Sequence, residues 1–312
     1  MAVHELMADD ATTRVGVTDR ANPPVLTVDS GDEVITKTRA LWADGVTPGS
    51  TMDDIIRFRT ELYSTVGPHT VTGPIAVRGA VPGKLLKVDI LDLVPRDNGV
   101  NLNYPGSFGT GLLPEDFPDG RLSHLRIDLK TMTTEAFGVK LPLRPFLGTI
   151  GVAPKDPGPH STVPPGPHGG NMDVSTSGVG TAIYFPIWKE GADLSFGDGH
   201  AVQGDGEVCL TALECAMERV HLRLTVVEGP ELERPRMENR THWITVGLDE
   251  DLLIAAKQAV RDMIRLLTEK TGMSAPEAYG FCSMAVDLSV SQVVNKVRGI
   301  HASLRKSLLE GS

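Results

Sequence analysis

Cysteine is scarce, with only Cys209, Cys215 and Cys282 in 312 residues. An odd, sparse set without a CxxC pair excludes a disulfide framework and a structural zinc knuckle, and it suits a reducing cytoplasm. Long apolar runs are missing too. No window approaches the ~18 consecutive apolar residues that a membrane span needs, and Met1 to Arg20 is polar, without the apolar core of a signal peptide. Basic residues are in deficit, with 30 Lys and Arg against 40 Asp and Glu, for a net charge of -10. The basic stripe that displaces counterions from a nucleic acid is therefore not expected. Aromatic residues make up only 5%.

Glycine (33) and proline (22) are plentiful instead. That mix suits many short strands joined by tight turns, not a helical bundle. A chain of this length makes roughly two domains, or one large β unit with an appended α+β segment. We expect a β-rich catalytic core over 1–230 and an α+β segment over 231–312 that completes the fold.

Local patterns agree. Leu86, Val88 and Ile90 alternate with Lys87, Asp89 and Leu91 after a Pro82-Gly83 turn, which reads as a half-buried strand. Residues 72–80 form another strand before it, so that Pro23 to Val94 is read as strand and turn. Residues 181–187 and 220–227 continue the theme, with Val220, Leu222, Leu224 and Val226 on one face and His221 on the solvated other. Asp97 to Gly120 and Gly148 to Gly170 read as long Gly- and Pro-rich connections, the second functional because it leads into the polar centre of the chain. One long helix is expected from Asp249 to Lys270, buried along Leu253, Ala256, Val260, Met263 and Leu267. A second helix opens at Ser274 and a closing strand spans 287–294.

The chemistry is concentrated between His168 and Glu207. Pro167-His-Gly-Gly-Asn-Met-Asp173 is followed by Gly197-Asp-Gly-His-Ala-Val-Gln-Gly-Asp-Gly-Glu207. Carboxylates and histidines flanked by glycines can approach a ligand closely, and several carboxylates turned inward together call for a cation. Neither HExxH nor a complete EF-hand loop is present. The mixed His and carboxylate set suits zinc better than calcium, although calcium stays open. The plain alternative is that these Asp-Gly pairs only make turns.

Both segments resemble the signature stretches of the acetamidase/formamidase family. Residues 69–77 with 79–83, Pro145 to Pro154 and Ala212 to Ala216 also resemble that family, in the same order. The resemblance implies a jelly-roll-like β-sandwich with smaller β-barrel-like and α+β parts, assembled as a homo-oligomer. It further implies hydrolysis of formamide, acetamide or a related short or cyclic amide. Carried onto this chain, it makes Asp173, Asp198 and His200 metal ligands, with His69 added from the N-terminal part. Two stretches depart from the family pattern: residues 101–111 lack an expected tryptophan, and Val174 to Gly178 differ.

In the mechanism expected on this basis, Glu207 carries the proton and Asp205 holds the water or completes the metal shell. Asn171 and Gln203 orient the amide, with His168 nearby. Two other readings compete. Cys209 or Cys215 could serve as a thiol nucleophile, although both lie in an apolar stretch that suits buried cysteines. Alternatively, a metal-stabilised β-sandwich could bind a ligand without catalysis.

Overall fold

The computed structural model describes residues 1–309. Leu85–Pro95 and Met217–Val227 each bury every second side chain, and they pair antiparallel with Leu222 opposite Ile90. They form the middle of a nine-stranded sheet. Its order is Val3–Glu5, Asp32–Thr36, Met217–Val227, Leu85–Pro95, Ala182–Pro186, Arg236–Glu238, His242–Asp249, Arg298–Arg305 and Val286–Gln292. The second sheet has eleven strands, and at its heart Leu194–His200 lies between Phe146–Gly151 and Thr70–Val77. Both sheets feed one core, Leu86, Ile183 and Leu222 from the first meeting Ile75, Leu147 and Phe196 from the second. The chain is mainly β, as its turn-rich composition leads one to expect.

Three local expectations are corrected. Residues 41–62 carry short helical turns (Leu41–Asp44, Met52–Arg57 and Phe58–Leu62) where strand and turn were expected. Thr51 and Asp54 close a capping box there, which favours the helix locally. Part of the Asp97–Gly120 connection is the strand Asn98–Asn103, because Val100 and Leu102 find a buried face when it pairs with Arg121–Asp128. Gly148 to Gly170 likewise contains strand residues up to Gly151 and again at Gly169–Asn171.

The long helix runs over Leu252–Thr271, with Asp251 accepting from the amides of Leu253 and Ile254 at its start. Its buried stripe is rotated from the expected one. Ala255, Ala259, Met263, Leu266 and Leu267 are buried, Ala256 and Val260 are half-buried, and Leu253 is exposed. Gly247 decides this rotation, since any side chain there would collide with the Ala255 carbonyl, so the helix docks backbone to backbone at that point. The C-terminal segment continues the first sheet, Arg236–Glu238 pairing with Ala182–Pro186 across residue 230. Among the described residues no helix is long and apolar enough to cross a membrane.

Candidate active site

Adjacent strands bring distant residues together. Phe146–Gly151 pairs with Leu194–His200 so that Leu147 faces Gly199 and Thr149 faces Gly197, which sets Gly148 beside Asp198. On its other side Thr149 faces Asn171, and the chain then turns through Asp173. Glu214 sits directly opposite His200. Asp173, Asp198 and Glu207 all adopt positive φ (49°, 55° and 48°), a conformation that costs non-glycine residues energy and is tolerated here at the point where their carboxylates converge.

All six central groups, His69, Asp173, Asp198, His200, Glu207 and Glu214, are buried. Ligand atoms of Asp173, Asp198 and His200 lie within 4.8 Å of one another, and so do those of His200, Glu207 and Glu214. His200 Nε2 is 3.2 Å from Glu214 Oε1 and 3.5 Å from Asp198 Oδ2. His69 Nε2 is 3.9 Å from the same Asp198 oxygen, and its Nδ1 is fixed by Thr162 Oγ1 at 3.0 Å. Asn295 donates to Asp173 Oδ2 at 2.5 Å.

Whether a cation fits can be judged from what these groups lack. Among the described residues Asp173 Oδ1, Asp198 Oδ1 and Glu207 Oε2 are buried without a hydrogen-bond partner, an expensive state for carboxylate oxygens. Gly148 keeps the space beside Asp173, Asp198 and His200 open. A Cβ there would stand 2.5 Å from Asp173 Oδ1, 2.7 Å from Asp198 Oδ2 and 2.7 Å from the His200 ring. Orphaned oxygens, an imidazole and a side-chain-free floor together fit a divalent cation.

The electrostatics without a cation point the same way. Burial raises Asp173 to about 8, helped by Asp198 and Glu214, and raises Glu214 to about 7. Burial, then Asp173, also lift Glu207 well above the ordinary carboxylate range. Burial acts against ionisation of Asp198 too, but His69 and His200 override it and hold that carboxyl low. Burial disfavours the His200 cation, yet Glu214 and Asp198 keep its pKa well above normal. His69, dominated by burial, is lowered.

The cluster forms the floor of a cleft of about 580 Å³. Trp42, Tyr104 and Phe108 line its walls, with Trp42 stacked on Phe58 and Tyr104 on Phe108. Of the residues singled out from sequence, His69, Asn171, Asp173, Asp198, His200 and Glu207 line this cleft. Asn171 accepts from Thr149 Oγ1 at 2.7 Å and donates to the Val163 carbonyl. Gln203 is buried behind the floor, bonded to His200 and to backbone carbonyls. Asp205 and His168 lie outside. Asp205 is exposed and accepts from Ser175, and His168 is half-buried with its ring near His160. Three residues of the site went unnoticed in the sequence. Glu214 and Thr149 had a signal, since they fall in the stretches Ala212 to Ala216 and Pro145 to Pro154 that resemble the family; Asn295 had none.

A sequence model of the Acetamidase/Formamidase family matches residues 18–161 and 158–304, together nearly the whole chain. The chain belongs to this family. An acetamidase of Bacillus halodurans has a similar crystal structure, with a TM-score of 0.87 at 33% identity, covering 98% of each chain. Similar relatives by sequence include an acetamidase of Mycolicibacterium smegmatis, 32% identical over 198 residues, 45% of this chain and 49% of that one. A formamidase of Methylophilus methylotrophus is 30% identical over 193 residues, 45% of this chain and 47% of that one. These matches span about half the length of the two relatives. Within the family fold, the C-terminal segment braces the cleft floor, Asn295 from a loop donating to Asp173 and the Ser291 carbonyl on the strand Val286–Gln292 accepting from Gln203.

Proposed function

We propose that the chain hydrolyses a small linear or cyclic amide to a carboxylate and ammonia or an amine, with a divalent cation on the cleft floor. The observation that carries this reading is a pair of buried ligand clusters sharing His200, Asp173 with Asp198 and Glu207 with Glu214, in which three carboxylates each keep one oxygen without a partner among the described residues. Family membership supports the reaction class. Asp173, Asp198 and His200 would hold the cation, with His69 beside them, and this nitrogen and oxygen donor set favours zinc over calcium. A cation there supplies an acidified water and polarises the amide carbonyl.

The protein's own groups do the rest. Glu207, with one oxygen free of any partner, takes a proton from the attacking water and passes it to the departing nitrogen as the C–N bond breaks. Asn171 lines the cleft, and the amide hydrogen it does not give to Val163 would suit an amide carbonyl. Glu214 fixes the His200 ring from the opposite strand. Trp42, Tyr104 and Phe108 give the cleft apolar wall surface. Self-association is part of the proposal, supported by the exposed Met284 and by Leu288 on the open edge strand Val286–Gln292. Light scattering of the purified protein checks it.

Ammonia release from a panel of simple and cyclic amides, before and after dialysis against a chelator, tests the main reading. Turnover that disappears with the metal and returns on adding zinc is expected. A chelator-insensitive activity abolished by iodoacetamide would replace it with a thiol mechanism, and no release from any amide would leave a binding module.

A further inference from the structure

The cleft has more room than the smallest amides fill. Clefts of about 300–1,000 Å³ hold drug-sized ligands, and this one measures about 580 Å³. Its charge is also divided. Every acidic residue that lines it, Asp173, Asp198, Glu207 and Glu214, belongs to the floor. The other charged side chains lining it, apart from the floor histidines, are Arg59, Lys296 and Arg298. Arg298 is engaged, its guanidinium donating to the Glu250 carbonyl. Arg59 is half-buried and Lys296 exposed, and among the described residues neither has an ion pair or a side-chain hydrogen bond. They come from separate elements, the helical turn Phe58–Leu62 and the loop between Gln292 and Arg298, yet line the same cleft.

On a chain with net charge -10 the surrounding field repels anions, so two unneutralised cations lining one cleft are a local exception to it. Lys296 is held there at positive φ (65°), directly after Asn295, which grips Asp173. The backbone that carries Lys296 is thus anchored beside the floor.

We propose that the substrate of this cleft is an amide carrying a carboxylate at its far end, such as the monoamide of a short dicarboxylic acid. This rests on the amide-hydrolase reading above. The amide lies on the floor and the carboxylate reaches Arg59 and Lys296, a charge-assisted contact in which arginine can engage both oxygens. Water adds to the amide carbon and the C–N bond breaks. The nitrogen leaves as ammonia with the transferred proton, and the product is a dicarboxylate.

The test compares succinamate with butyramide, its neutral counterpart. Wild type should show roughly tenfold or greater kcat/KM for succinamate. The ratio should shrink at high salt and collapse in the double variant Arg59→Gln/Lys296→Gln, while Arg59→Lys, which keeps the charge, retains most of it. A ratio near one in wild type, or one that survives in the charge-free variant, overturns the proposal. Calorimetric binding of succinamate separates this from failure of the reaction itself. Binding that depends on the two cations, without turnover of either amide, would uphold the carboxylate-recognising mouth and sink hydrolysis; no binding and no turnover would sink both.

Discussion

Gln203 Oε1 stands 2.9 Å from His200 Nδ1, while its Nε2 donates to the backbone carbonyls of Asp173 (3.0 Å) and Ser291 (3.2 Å). With the amide nitrogen committed to two carbonyls, the amide oxygen faces the ring, so Nδ1 carries the hydrogen and Nε2 is turned to the site. One side chain thereby sets the His200 tautomer and the backbone of Asp173. Outer partners of this kind typically cost about 10–100-fold in metal affinity when removed. Gln203→Leu should lose cation affinity on that scale while remaining folded, read by competition with a chromogenic chelator and by circular dichroism. Unchanged affinity would make Gln203 a packing residue only.

Glu207→Gln removes the proton carrier and keeps the shape. Turnover should fall by about 10²–10⁴-fold, with cation content by elemental analysis close to wild type. Wild-type-like turnover would take Glu207 out of the mechanism.

Gly148→Ala places a methyl group against the floor. Gly148 has no positive φ that alanine would resist, so the strand should form as before. Its Cβ would nevertheless stand 2.5 Å from Asp173 Oδ1. We expect a folded protein with little bound metal and little activity. Full metal content in this variant would mean that the cation lies elsewhere.

The pH dependence of the metal-stripped protein follows from the floor. Asp173 is raised from its ordinary 3.8 to about 8, and Glu214 from 4.5 to about 7. Between those values the folded state binds more protons than the unfolded one, so stability is fully present below pH 4 for these groups and is lost as pH rises toward 8. A cation displaces the protons, so its affinity should climb over the same interval. Thermal unfolding of stripped and zinc-loaded protein from pH 5 to 8 checks both. A stabilisation by zinc that does not grow with pH would contradict the assignment of these carboxylates.

The thiols should be dispensable. Burial pushes Cys215 up to about 12, where thiolate is negligible at neutral pH. Cys209 accepts a hydrogen bond from Asn101 at 3.3 Å and does not line the cleft. A Cys209→Ala/Cys215→Ala variant is expected to keep kcat within a few-fold (about 1 kcal/mol of barrier). Loss of activity with the metal still bound would revive the nucleophile.

Much of the strand framework is legible because burial on one face imposes a period of two, as at Leu86, Val88 and Ile90. Long-helix boundaries are legible too, since Asp251 and Gly272 are local cap signals. The helix's buried face is not, because the close approach at Gly247 decides it from another strand. Asn98–Asn103 hides for a similar reason: polar residues become a strand only when neighbouring strands supply partners. The same holds at the site. Asp173, Asp198 and His200 stand out as a motif, but Asn295 lies 122 positions from the aspartate it grips.

By itself, the sequence determined the kind of molecule and its chemistry-bearing motif. Hydrophobic period, turn residues and charge are local properties that act through nearest neighbours. Only the tertiary structure decided which carboxylates share one floor, that Asp205 and His168 stand apart from it, and that Gln203 braces His200. It also decided that Arg59 and Lys296 face a common cleft. Those facts depend on strand register and on burial, which raises the cost of an unpaired charge only once the sheets have closed around it.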